Sequence, residues 1–212
     1  MTVQEATKAL NEFYDFANER FFHIKAEKPQ ITIQSNGRTS VQGWFTADKV
    51  WTVDGGRYYE INICAEYLDL PITEIANIIL HEMVHYKNKA DGVYGCCRNS
   101  TYHNNHFKKT AETHGLNAGK IGYKGFAATS LNETGKQLLQ DAIDADILPS
   151  ETMSLRRGVR NCDNEECGDG ERKSHIRKYV CKCVKPVIIR ASKEVDVRCN
   201  KCNGNFVEKG NT

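Results

Sequence analysis

Apolar residues recur at Ala6, Leu10, Phe13, Phe16 and Phe21, close to helical spacing, and predict an amphipathic helix over residues 3–27. The period then shortens. Residues 31–34 alternate β-branched and polar positions, and further strand-like runs cover 43–47, 50–53 and 58–64. Turn signals at Asn36-Gly37 and Asp54-Gly55-Gly56 separate them, which predicts a small antiparallel sheet with Trp44, Trp51, Tyr58 and Ile61 on its packed face. Pro71 opens a second helix, where its missing N–H costs nothing, and Glu74 complements the positive end of the helix dipole. Its buried stripe is Ile72, Ile75, Ile79 and Met83, and Asp91-Gly92 should stop it. Helical patterns follow at about 104–114, closed by Gly115, and at 131–147. The last segment alternates strand-like runs (178–180, 186–190, 195–197) with cysteines.

The chain has 212 residues, 40% hydrophobic and 26% charged, which fits an ordinary globular protein. The longest apolar run, residues 75–80, is interrupted by Asn77 and ends at His81, far short of the roughly 20 residues of a membrane span. Glu5 and Asn11 sit where a signal peptide needs an apolar core, so a cytoplasmic protein without a membrane partner is expected. In that compartment nine cysteines, an odd number, do not read as a disulfide framework. Their distribution is uneven: Cys64, Cys96 and Cys97 come early, and six crowd residues 156–212. That same stretch carries 14 Lys and Arg against 8 Asp and Glu, so the overall charge of +2 combines an acidic body with a basic tail. The expected organisation is a domain at 1–148, a linker at 149–160 and a small basic domain at 161–212.

The sharpest chemical feature is His81-Glu82-Met83-Val84-His85, placed on the second helix. Histidines four apart stand one above the other on a helix face, so both imidazoles can reach one metal ion. The glutamate between them lies beside the open coordination position, where it can take a proton from a water attacking a carbonyl. A catalytic zinc needs a third protein ligand. Downstream stand His103, His106, Glu112 and His114, with Cys96 and Cys97 on the intervening loop; spacing alone does not separate His103 from His106. His114 reads as a partner of the helix C-terminus. Adjacent Cys96 and Cys97 point apart and read as structural, and Cys64 as core.

In the tail, Cys181 and Cys183 are separated from Cys199 and Cys202 by a β-rich stretch, a pattern for a four-thiolate structural zinc that stabilises a module too small for its own core. Cys162 and Cys167 are left without a role. Basic residues around this module, among them Arg156, Arg157, Arg177, Lys178, Lys182, Lys185 and Arg190, suit non-specific contact with nucleic-acid phosphates.

HEMVH on a helix, a variable loop, and a histidine four residues before Phe107 at the start of the next helix resemble the SprT-like family, to which Spartan-type proteases belong. The resemblance covers about residues 5–116, and the cysteine-bearing tail is similar to the zinc ribbon of many members. It implies an α+β fold, a small antiparallel sheet packed with zincin-type HExxH helices and followed by a β-rich zinc ribbon. It also implies a zinc metallopeptidase with His81, His85 and His103 as zinc ligands and Glu82 as general base, acting on DNA-associated proteins. One departure stands out: the family's usual residue after the third histidine is Gly, and here it is Asn104. Tyr94, Tyr102 and His106 are candidates for stabilising the oxyanion. The competing reading, from a different class, is a zinc-containing DNA-binding or scaffold protein with little proteolytic activity.

Overall fold

A computed structural model describes residues 1–35, 41–97, 101–158 and 177–209. Cys162 and Cys167 lie outside the described residues. The chain divides into two compact units, Met1–Arg160 and Asn161–Thr212.

In the first unit, helix α1 (Val3–Ala17) starts at a capping box: Thr2 Oγ1 accepts the Glu5 N–H, and the Glu5 carboxylate accepts the Thr2 N–H. Its stripe of Ala6, Leu10, Phe13, Tyr14 and Ala17 is fully buried. The helical pattern predicted to residue 27 ends earlier, through one π-turn (Asn18–Phe22) and a left-handed His23. The cause is Asn18, whose side chain accepts from Ile24 N at 2.8 Å and donates to Ile24 O at 3.2 Å. Offered this partner, the backbone leaves the helix.

Strands β1 (Gln30–Gln34), β2 (Gly43–Phe45), β3 (Trp51–Val53), β4 (Gly56–Tyr58) and β5 (Glu60–Cys64) follow. The α+β class is as expected, with one correction inside it. The main sheet has the order β1-β5-β2, and β1 pairs with β5 in parallel, so the sheet is mixed; only β2–β5 is antiparallel. β3 and β4 form a separate hairpin whose turn residues Asp54 (φ 48°) and Gly55 (φ 81°) are both left-handed, as a tight two-residue turn requires. The packed face differs from the expectation as well. Ile61 and Ile63 enter the core, whereas the indoles of Trp44 and Trp51 donate to the Glu60 carboxylate on the opposite face, at 3.1 and 3.0 Å. Tyr58 is half-buried in the hairpin. Gln34 Nε2 adds a third donor at 2.6 Å, so buried Glu60 ties β1, the edge strand β2 and the hairpin together.

Helix α2 (Ile72–Ala90) lies across this sheet, with Ile72, Ile75, Ile79 and Met83 buried and Gly92 (φ 69°) beyond its end, as the sequence indicates. Then come β6 (Cys96–Cys97), β7 (Tyr102–His103), α3 (Asn105–Thr113), β8 (Leu116–Gly119), β9 (Ala128–Leu131) and α4 (Glu133–Asp144). Each of the last two helices starts at an asparagine cap, Asn104 and Asn132. The stretch expected to be a linker continues to pack on this unit through residue 157. Met153 is buried, Leu155 packs on the core, and Ile72 N bonds to Glu151 O. Arg156 and Arg157 pair with Asp69 and Glu66 of the body.

The second unit has strands β10 (Arg177–Val180), β11 (Ile188–Ala191) and β12 (Val207–Lys209), in the antiparallel order β11-β10-β12. The third strand is 207–209 instead of 195–197. Tyr179 is its one large buried side chain among the described residues. No helix among the described residues is long and apolar enough to cross a membrane.

Candidate metal centre

His81 and His85 leave one face of α2, one turn apart, and β7 presents His103 to the same point. Their Nε2 atoms form a near-equilateral triangle: 3.2 Å for 81–85, 3.2 Å for 81–103 and 3.1 Å for 85–103. His106 sits on the exposed side of α3 and takes no part; His114 stacks on Phe22, away from the triad. What separates His103 from His106 is strand pairing. Cys96 pairs with His103 across β6–β7, and Asn104 then caps α3, accepting from His106 N and Phe107 N. The asparagine also donates to Tyr94 O at 2.6 Å, so the departure from Gly at this position serves as a helix cap. Phe107 floors the site, with its ring centroid 4.5–4.9 Å from all three imidazoles.

The outward nitrogens decide what the inward ones can do. His103 Nδ1 faces the Lys124 carbonyl at 3.2 Å, which can only accept, so Nδ1 carries the proton and Nε2 offers a lone pair. His81 Nδ1 meets Thr129 Oγ1 at 3.1 Å, and His85 Nδ1 lies 3.6 Å from Cys96 Sγ. Burial pushes His81 down to about 3, with the neighbouring His103 adding to it, and holds His85 and His103 below the usual histidine range. Three neutral imidazoles aiming lone pairs at one point are mutually repulsive unless a cation occupies it. A tetrahedral ion at 2.0–2.1 Å from each nitrogen separates its ligands by about 3.3–3.4 Å. The observed triangle fits zinc within the tolerance of such a site.

Glu82 lies beside this triangle, buried, its carboxyl pushed up to about 8 by desolvation and partly restrained by the Phe45 backbone N–H. Gly43 allows this approach. A Cβ there would meet Asn62 O and Ile78 Cγ2 at 2.8 Å and Glu82 Cγ at 3.6 Å, so any side chain would push β2 off α2. Two cavities, about 670 and 390 Å³, flank the triad and share Val41, Gly43, His81, Glu82, His103 and Lys124. Together they form a groove running along the edge strand β2 and past the histidines. Trp44, Phe45, Val93 and Tyr94 line the larger end, and Ile78, Ile121 and Thr129 the smaller.

Thr129, Lys124 and Phe107 as packing partners of the triad were not legible from motif spacing. The one available signal for the loop was its pair of turn glycines, Gly122 (φ 43°) and Gly125 (φ 69°). Cys96 contacts His85 and so belongs to the surroundings of the metal ligands, more than the bland packing role expected for it. Of the other oxyanion candidates, Tyr94 lines the groove but is mostly exposed, and Tyr102 lies outside both cavities.

In the second unit the sulfurs of Cys181, Cys183, Cys199 and Cys202 all lie within 4.8 Å of one another. Cys183 and Cys199 are 3.7 Å apart, too far for a disulfide and close to the roughly 3.7–3.8 Å edge of a zinc–thiolate tetrahedron. Backbone N–H groups point at the sulfurs, such as Val187 N to Cys181 at 3.1 Å. The Cys183 N–H chiefly lowers Cys181, that of Cys202 lowers Cys199, and that of Gly204 lowers Cys202. Cys183, pressed most by Cys181 and then by Cys202, is pushed up to about 12. Four crowded thiols with thiolate-stabilising donors make a candidate metal site, consistent with zinc.

An HExxH helix, a third histidine from a following strand and a mixed sheet at the groove define a candidate metal centre in an α+β domain. The SprT-like family model matches residues 10–129, more than half of the chain, and the protein belongs to that family. No curated protein and no solved structure gave a match.

Proposed function

We propose that the protein is a zinc-dependent metalloendopeptidase, with His81, His85 and His103 holding the catalytic ion and Glu82 as general base. The observation that carries this reading is the buried Glu82 carboxylate beside three converging imidazoles, in a groove open on both sides. Bound zinc supplies Lewis acidity, which makes water nucleophilic at neutral pH and polarises the scissile carbonyl. The chain's own residues do the rest. Substrate lies extended along β2 and adds to its edge, which positions a carbonyl over the triad. Glu82 accepts a proton from the attacking water and passes it to the leaving nitrogen. Lys124 O, Thr129 and Cys96 hold the three imidazoles in orientation. A groove continuing past both ends of the triad favours internal cleavage. Glu82→Gln should retain zinc and lose cleavage of an unfolded protein; undiminished cleavage refutes the mechanism.

We further propose that the ribbon contacts DNA, so that DNA-associated proteins are the substrates. By register, Arg190, Lys178 and Lys209 stand side by side across three strands, about 4.8 Å apart. None has an acidic partner among the described residues. Beside them on the same face runs the apolar row Ile188, Val180 and Val207. This row also supports the second reading, a DNA-binding scaffold with little proteolysis. Replacing the three cations with glutamine should lower the logarithmic salt slope of single-strand binding by about 2, at roughly 0.7 per phosphate contact. An unchanged slope rejects the contact. A protein that binds DNA and leaves every substrate whole favours the scaffold.

A further inference from the structure

The groove holds a cation that the metal chemistry does not use. Lys124 lines both cavities, so it stands at the point where they meet, next to His81, Glu82 and His103. No acidic side chain pairs with it among the described residues. Its backbone is fixed from below, and its exposed side chain extends from that fixed point. The turn Gly122–Lys124 closes with Lys124 N to Ile121 O at 3.0 Å and Ile121 N to Gly125 O at 2.8 Å. The same loop is clamped to the third histidine: His103 Nδ1 donates to Lys124 O, and Phe126 N donates to His103 O at 3.0 Å within the parallel bridge that pairs Gly125 with His103. Gly125 comes so close that a Cβ there would be 2.2 Å from His103 O. The loop therefore cannot shift without moving a histidine of the triad.

We infer that Lys124 is a catalytic residue whose ammonium stabilises the oxygen of the scissile carbonyl as negative charge develops on it. This rests on the peptidase reading above. Water addition forms a C–O bond, moves the carbonyl π pair onto oxygen and gives one proton to Glu82. Collapse re-forms C=O, breaks C–N and sends that proton to the leaving nitrogen, and the new carboxylic acid ionises to solvent. Charge on the oxygen exists only between these steps, so a cation aimed there accelerates the reaction without tightening substrate binding. His106, on the outer side of α3, lines neither cavity.

The test uses the zinc-loaded full chain with Lys124→Met and Lys124→Arg. Both variants keep the backbone carbonyl that orients His103, and zinc content is measured alongside. The expected result for Lys124→Met is full zinc, KM within twofold and kcat lower by about 100-fold, with Lys124→Arg recovering part of it. A second readout needs no turnover. Calorimetry with a short peptide phosphonamidate, whose tetrahedral anion mimics the intermediate, should show at least tenfold weaker binding to Lys124→Met. Binding of the uncharged amide of the same sequence should stay unchanged. Unaltered kcat, a loss confined to KM, equal weakening for both ligands, or loss of zinc each overturns the proposal. If wild-type protein cleaves nothing, the peptidase reading fails, and the phosphonamidate comparison still decides the lysine.

Discussion

Gly125→Ala tests whether the third ligand is positioned by the loop beneath it. The glycine has φ 69° and ψ −135°, a region essentially confined to glycine, where an L side chain costs about 1–3 kcal/mol. That cost is the smaller part. The new Cβ would lie 2.2 Å from His103 O and 3.1 Å from the His103 carbonyl carbon, both backbone atoms. Opening the contact to 3.0 Å moves β7 or the loop by about 0.8 Å, several times the ±0.2 Å tolerance of a zinc ligand. His103 would lose its Nδ1 partner in the same movement. The expected result is zinc affinity lower by about 10–100-fold, the range for disrupted ligand-orienting contacts. Gly122→Ala is the control: its φ is 43°, but nothing stands within 4 Å of the added carbon. It should destabilise by about 1 kcal/mol and leave zinc affinity alone. Titration against a competing chelator measures the affinities, and thermal unfolding measures the strain. Zinc binding by Gly125→Ala within twofold of wild type, or equal losses in both variants, refutes the reasoning.

Phe107→Ala removes the ring beneath all three imidazoles and should cost about 3–5 kcal/mol in denaturant unfolding; a loss under 1 kcal/mol would show that the triad needs no floor. Zinc-stripped protein should be acid-sensitive, because its native histidines are held below the unfolded value of about 6.5 and stay neutral while the unfolded chain takes up protons. This contribution is intact above pH 6.5 and declines as pH falls toward 3, by at most about 1.4 kcal/mol per unit for each histidine. Denaturant midpoints at pH 7.5 and 5.0, compared with a variant carrying glutamine at 81, 85 and 103, check it; equal pH dependence in both proteins contradicts the origin assigned to it.

Much of the site was legible because its first half is local. Two histidines and a glutamate within one helical turn and a half need only α-helix geometry to be placed, and the stripe from Ile72 to Met83 supplies the helix. The third ligand depends on a two-residue strand pairing and a cap, which spacing does not encode; the family resemblance selected His103 where spacing left it level with His106. Strand direction was hidden for a similar reason. Alternation in residues 31–34 shows which side chains share a face and says nothing about whether the neighbouring strand runs parallel. Strand alternation places Trp44 and Trp51 on a packed face, but their indole N–H groups have a buried carboxylate to satisfy. Pro149 and Ser150 signal a turn, while Met153 and Leu155 beyond them are apolar enough to return the chain to the body.

The span between His85 and His103, 18 positions in sequence, has its two ends in the same triad. An ion coordinated by both would act as a covalent staple does, removing from the unfolded chain the freedom of that loop. For a closure of this length the chain-entropy estimate is about 3 kcal/mol, a sizeable share of a small domain's stability. The ion would then be a structural element of the domain that holds it, and its removal would loosen the groove as well as empty the site.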